Sequence, residues 1–219
     1  MRRAFVPLLV VATAMFASAP FVIAQALYES TMGLVQKIFY FHVASWFAMF
    51  AAVFTCGYGS ALYLFKKNRA AEALAVSAGE LAVVFGLIGL VTGPLWGRKA
   101  WGTFWEWGDT RLVMALLLEM IFVGYLLVRR YGGPGAEKLA AAMGLFGTAN
   151  VPFLYVSTNI WRTLHPKTTV VPSLRPGMRG AFWFSVAAFL LLYWLIVTLR
   201  LQLQHRRAAL DELYLAEED

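Results

Sequence analysis

The sequence predicts an all-α integral membrane protein with six transmembrane helices, cytoplasmic N- and C-termini, and a tryptophan-rich outer loop between helices 3 and 4. Three observations predict it. The 219 residues are 60% hydrophobic and only 14% charged, where a soluble domain carries about 25% charged residues. The charges fall in clusters, separated by apolar stretches of roughly 20 residues, enough to cross a hydrocarbon core of about 30 Å. No internal repeat and no low-complexity linker divides the chain, so residues 1–219 read as a single polytopic membrane domain.

The apolar segments run over about Phe5–Ala24, Ile38–Phe65, Leu74–Val91, Leu112–Val128, Leu139–Val156 and Ala181–Leu199. Each is expected to be a helix, because hydrocarbon offers nothing to an unpaired backbone N–H or C=O. The first segment has a competing reading. Arg2 and Arg3, an apolar run and Ala24-Gln25-Ala26 have the order of a cleavable signal peptide. The apolar core of such a peptide is about 7–15 residues, and this one is longer, which favours a retained span. On either reading, the chain beyond Ala26 emerges on the outer side.

The formal net charge is +7. On a soluble protein that would suggest nucleic acid. Here the basic residues flank apolar segments, so they report membrane orientation and the partner is a lipid bilayer, with no nucleic acid. With the N-terminus inside, Lys66, Lys67, Arg69, Arg129 and Arg130 crowd short inner loops, and a basic tail over about 200–219 is cytoplasmic. Lys37, Arg98, Lys99, Arg111, Arg162, Lys167, Arg175 and Arg179 fall outside in longer, mixed loops.

The outer side carries the informative residues. After the third apolar segment the chain reads Trp96-Gly97-Arg98-Lys99-Ala100-Trp101-Gly102-Thr103-Phe104-Trp105-Glu106-Trp107-Gly108-Asp109-Thr110-Arg111. Half of the chain's eight tryptophans lie between positions 96 and 107. An interfacial aromatic belt scatters one or two such residues per helix end; this clustering, over about 96–111, makes a platform for a flat apolar ligand. Indole faces supply contact area, and indole N–H groups still find acceptors.

Two of the three histidines fall on the same side. His42 lies about one turn into the second helix, and His165 lies in the connection between the fifth and sixth. His205 sits in the basic tail and reads as solvated. A single buried histidine is commonly a structural hydrogen-bonder, but a pair beside a tryptophan platform suits axial ligation of heme iron, which accepts a neutral imidazole on each face. The porphyrin body calls for aromatic walls. Its propionates call for arginine or lysine at the water boundary, and Arg98, Arg111, Arg162 and Arg175 are the candidates, each otherwise a solvated loop charge. The lone Cys56 forms no disulfide within the chain, and Cys-x-x-Cys-His is absent, so any heme is held non-covalently. Glu80 and Glu119 lie within apolar segments, where carboxylates are functional suspects, and receive no role.

The stretch Trp101-Gly102-x-x-Trp105-x-Trp107 with Asp109 resembles the "WWD" signature of the heme-handling proteins of cytochrome c biogenesis. Ile38-Phe39-Tyr40-Phe41-His42-Val43 and Trp161-Arg162-Thr163-Leu164-His165 resemble the two histidine-bearing segments of the CcmC branch, and the likeness covers essentially the whole chain. One departure stands out: Gly108 intervenes before Asp109, where the family's usual pattern is Trp-x-Trp-Asp. The resemblance implies a multi-pass protein of the bacterial inner membrane. It implies a transiently held heme b at the periplasmic face, with His42 and His165 as axial ligands. The tryptophan loop, with Trp96, Trp101, Trp105, Trp107 and Asp109, would contact it, and the propionate argument above adds Arg98, Arg111 and Arg162. It implies delivery to the heme chaperone CcmE in company with the ABC-type complex CcmA/CcmB and the small membrane protein CcmD, without catalysis by this chain.

Three other readings stay open on the residues alone. A cytochrome c heme lyase of the same superfamily would be longer and carry further histidines within the membrane. A bis-histidine heme b electron-transfer subunit would place both ligands on facing helices, where His165 sits beside Pro166 in a loop. A scaffold or transporter without cofactor leaves the clustered tryptophans unexplained.

Overall fold

A computed structural model describes residues 2–218 of the chain. They form six long helices: α1 (Arg2–Gln25), α2 (Ile38–Lys66), α3 (Arg69–Trp101), α4 (Thr110–Tyr131), α5 (Ala136–Ile160) and α6 (Pro176–Glu218), with short 3-10 turns over Gly33–Lys37 and Thr168–Val170. All six are long and apolar enough to cross a membrane. The connections α1–α2, α3–α4 and α5–α6 gather at one end, which also holds the main cavity. The far end holds the two tight connections and the ion pairs of Glu72 with Arg69 and Arg129, at 3.0 and 2.7 Å.

Local chemistry sets the helix ends. Asn68 caps α3 by accepting from the Ala71 N–H at 3.0 Å, and Asp109 caps α4 by accepting from the Leu112 N–H at 3.1 Å. Each supplies an acceptor to a helical N–H that has no partner within its own helix. The opposite problem arises at the end of α1, where carbonyls are left over. Lys37 Nζ donates to the Ile23 and Ala26 carbonyls at 2.8 and 2.6 Å. One of the outer-side basic residues is thereby accounted for structurally.

Two boundaries differ from the sequence expectation. α3 continues to Trp101 instead of ending near Val91, so Trp96, Arg98 and Trp101 stand on its final turns and the connection proper is residues 102–109. The stretch read as a loop on its clustered tryptophans and glycines, yet the helix runs through Pro94. In a membrane helix a proline is tolerated because neighbours re-satisfy the freed backbone groups. Gly97 has a packing reason to be there: a Cβ on it would meet the Trp101 ring at 2.8 Å. At the other end of the chain, the segment expected as a tail continues α6 as one helix.

α2 is the central helix, with Ala44, Ala48, Ala52, Cys56 and Ser60 all fully buried. Lipid tails are as apolar as leucine, so membrane helices gain by close backbone approach at small residues. α2 follows this rule against α5, where a Cβ on Gly57 would collide with the Thr148 side chain and one on Gly144 would meet Ser60 at 2.7 Å. The two intramembrane carboxylates have different surroundings. Glu80 of α3 forms a two-pronged pair with the Arg200 guanidinium of α6. Glu119 of α4 is 2% exposed, and neither of its oxygens has a hydrogen-bond partner among the described residues.

Candidate functional site

α2 delivers His42 near its first turns, and α3 makes room for it. Gly93 lies against the imidazole, where a Cβ would approach His42 Cε1 at 3.1 Å, and Gly89 lies against the Trp46 indole one turn deeper. Thr92, between them, fixes the ring. Its hydroxyl donates to the Ile88 carbonyl at 2.7 Å and lies 3.0 Å from His42 Nδ1. With that proton committed, Thr92 Oγ1 can only accept, so Nδ1 carries the hydrogen and Nε2 keeps its lone pair.

His165 reaches the same tautomer by a different route. Its Nδ1 lies 2.9 Å from the Pro166 carbonyl oxygen, which can only accept. Nδ1 is again the donor, and Nε2 again holds the free lone pair. Burial, and then the positive charge of Arg111, lower the His165 pKa to about 4; the hydrogen bond to Pro166 and the Asp109 charge oppose this only partly. The imidazole is therefore neutral at neutral pH and competent as a ligand.

The loop that presents His165 is tied down by Asp109, which is 3% exposed. One carboxylate oxygen accepts from the Leu164 N–H at 2.6 Å and from the Thr163 hydroxyl at 2.7 Å. The other accepts from the same hydroxyl at 2.9 Å and from the α4 cap. Thr163 Oγ1 in turn accepts from the His165 N–H at 3.1 Å. Asp109 thus links the tryptophan-bearing connection, the start of α4 and the histidine loop through a single side chain.

Between the two histidines lies a cavity of about 680 Å³, within the range of about 300–1,000 Å³ usual for small-molecule and cofactor sites. His42, His165, Trp96, Trp101, Trp105 and Arg111 all line it. Trp96 stands edge-on to Trp101, with ring centres 5.7 Å apart, and Trp101 lies 6.5 Å from the His165 ring. Trp96 Nε1 donates to Gln36 Oε1 at 3.2 Å. Trp105 Nε1 is buried and has no acceptor among the described residues. Arg111 donates to the Leu154 carbonyl and forms no ion pair among the described residues. A buried N–H donor and a guanidinium lacking an anion, on the wall of one cavity, suit a ligand with an apolar face and an anionic edge.

Five other residues singled out in the sequence do not line this cavity. Trp107 is 72% exposed and packs on Trp105 with ring centres 5.7 Å apart. Arg98 donates to the Gly102 carbonyl and lies over the Phe104 ring at 5.6 Å, while Arg162 is exposed. Asp109 supports the site from behind. Arg175 lines a separate, smaller hollow. Sequence reasoning missed Gln36, Trp46, Gly89, Gly93 and Lys167 as lining residues. A partial signal existed: Trp46 follows His42 by four residues, and Gly93 follows Gly89 by four, each pair on one helix face.

The fold and site define a polytopic helical membrane protein with a histidine-flanked aromatic cavity at one end of its bundle. The family model described as "Heme exporter protein C" (CcmC) matches residues 1–214. The Escherichia coli K12 heme exporter protein C is 32% identical over 199 residues, covering 84% of this chain and 78% of that protein. Heme exporter protein C of Bradyrhizobium diazoefficiens is 32% identical over 167 residues, covering 71% of this chain and 62% of that one. A ccmC-like mitochondrial protein of Marchantia polymorpha is 32% identical over 135 residues, covering 61% of this chain and 57% of its own length. The matched region thus spans less than two thirds of the Bradyrhizobium and Marchantia relatives. The chain belongs to the CcmC family, whose place is in cytochrome c biogenesis.

Proposed function

We propose that this chain holds heme b non-covalently and transiently in the 680 Å³ cavity, with His42 and His165 as axial ligands, and passes it to the chaperone CcmE during c-type cytochrome biogenesis. One observation carries the reading: two imidazoles on the wall of one aromatic cavity each have Nδ1 committed to an oxygen and Nε2 free. An outer hydrogen bond of this kind sets the tautomer and ring orientation of a metal-ligating histidine. Trp96, Trp101 and Trp105 wall the porphyrin, the Trp105 N–H finds an acceptor on its edge, and Arg111 with Lys167 meets the propionates. Trp107, exposed beside Trp105, faces the chaperone at handover. Arg98 and Arg162, outside the cavity, act at most on arriving or departing heme.

The same reading places the cavity end at the periplasmic face of the inner membrane, because Lys66, Lys67, Arg69, Arg129 and Arg130 crowd the far end and mark it as cytoplasmic. It gives the chain the partners CcmA/CcmB and CcmD, and no covalent chemistry of its own. The test is the visible spectrum of the purified protein beside His42→Ala and His165→Ala, followed by loading of CcmE. A low-spin, bis-imidazole spectrum lost in both variants, with loading lost in parallel, is expected. An unchanged spectrum in both variants would end the ligand assignment.

A further inference from the structure

The cavity is deeper than the two histidines require. Its lining follows α2 from His42 down through Phe47, Phe50 and Phe54. Twelve residues of helix correspond to about 18 Å, more than half of a hydrocarbon core about 30 Å thick. Opposite stand Val151, Pro152 and Tyr155 of α5. A local feature shapes the wall between the two helices. Just below, they are locked: Thr148 Oγ1 donates to the Val53 carbonyl at 3.1 Å, and Gly57 sits directly against the Thr148 side chain. One turn on, Pro152 supplies no N–H to the Thr148 carbonyl and its ring crowds that carbonyl, which bends a helix. Above this point residues of both helices, Phe47 and Phe50 of α2 and Pro152 and Tyr155 of α5, line the cavity. Phe54 and Tyr155, on its margins, are 51% and 52% exposed within the spanning segments.

We propose that the side of the cavity between α2 and α5, at Phe54 and Tyr155, is a lateral portal through which heme reaches the histidines directly from the bilayer. The proposal rests on the heme reading above. The polarity of the cavity argues for this occupant. Its deep part is aromatic and aliphatic, while His165, Arg111, Lys167 and Gln36 lie at the end carrying the connections. That gradient matches one membrane leaflet. A flat amphiphile lying in the leaflet, anionic edge toward the headgroups, would slide between α2 and α5 without turning over and without crossing water. Heme arriving from the aqueous side has the same chemistry, so the two sources must be separated by experiment.

Protein and heme are placed in the same phosphatidylcholine vesicles, with excess apomyoglobin outside as a trap for any heme that passes through water. The initial rate at which the axially ligated spectrum appears is followed. The trap is expected to change that rate less than twofold. Val151→Phe, which adds bulk to this wall of the cavity, should slow uptake from vesicles at least fivefold, and Phe54→Ala, which removes bulk at its exposed edge, should quicken it. A trap that abolishes uptake, or wild-type rates in both variants, overturns the portal. So does a photo-crosslinker at position 54 that captures a partner's membrane helix in cells instead of lipid. Absence of any ligated spectrum, even when heme is given in excess in detergent, would instead defeat the heme reading itself.

Discussion

Asp109 offers the sharpest test of how the cavity is held together. Its carboxylate serves three donors: the Leu112 N–H, the Thr163 hydroxyl and the Leu164 N–H. Removing an N-cap costs about 1 kcal/mol, and each hydrogen bond to a buried charged acceptor contributes about 1.5–3 kcal/mol. Asp109→Ala should therefore cost roughly 4 kcal/mol or more, of which about 1 falls on α4 and about 3 on docking of the His165 loop. If the docked loop is what presents the imidazole, 3 kcal/mol lowers heme affinity by up to about 100-fold, at 1.4 kcal/mol per tenfold. Asp109→Asn separates the two roles. Asparagine caps a helix as well as aspartate does, but its amide NH2 meets the Leu164 N–H donor to donor. The asparagine variant should keep α4 intact and still lose most of the loop docking. Heme titration followed in the Soret region, with axial ligation read from the same spectra, is the assay. Affinity within threefold of wild type in Asp109→Ala, with unchanged ligation, would refute the tether.

Three other perturbations have outcomes set by the geometry. Trp105→Phe keeps an aromatic wall but deletes the buried, unpartnered N–H; losing one hydrogen bond to the ligand should weaken heme retention about fivefold, taking about 1 kcal/mol per bond, measured as an off-rate to apomyoglobin. Gly89→Leu drives a side chain into the Trp46 ring, which a Cβ alone would already meet at 2.5 Å; overpacking of this kind costs about 1–3 kcal/mol, and both thermal stability and heme capacity should fall. The last concerns pH. His165 has a folded pKa near 4, depressed from 6.5, so an undocked loop binds a proton more readily than a docked one. Docking gains nothing from this group above about pH 6.5 and weakens progressively as the pH falls from there toward 4. Ligation by His165 should be flat from pH 8 to about 6.5 and decline below it in a stopped-flow binding series, and a decline of the same size in His165→Ala would exclude this histidine as the cause.

The six helices were legible because lipid leaves the backbone no alternative. Their ends were less so. At Trp96 to Trp101 the glycine-punctuated tryptophan cluster had loop character, yet the chain stays helical through Pro94, and Gly97 admits the Trp101 ring. The candidate residues were legible by type and crowding. Histidine, tryptophan and arginine on one side of a membrane are conspicuous, and Trp96, Trp101, Trp105, Arg111, His42 and His165 do meet at one cavity. Asp109 was flagged by its place in the signature, but as a group touching the ligand. The structure puts its carboxylate on the start of α4 and the histidine loop, outside the residues that line the cavity, and the intervening Gly108 does not keep it from that loop.

Sequence by itself determined that this is a six-helix membrane chain and which residues bear chemistry, since hydropathy over about 20 residues and the identity of a ligand atom are local properties. Tertiary structure decided the rest. It selected Arg111 over Arg98, Arg162 and Arg175 as the arginine that lines the histidine-flanked cavity, set both imidazole tautomers through Thr92 and Pro166, gave Glu80 a partner in Arg200 while leaving Glu119 without one among the described residues, and put residues of α2 and α5 around one cavity. Each of these depends on which helix faces meet, and that is fixed by glycine notches and proline bends acting between segments far apart in the chain, as His42 and Thr92 or Gly57 and Thr148 are.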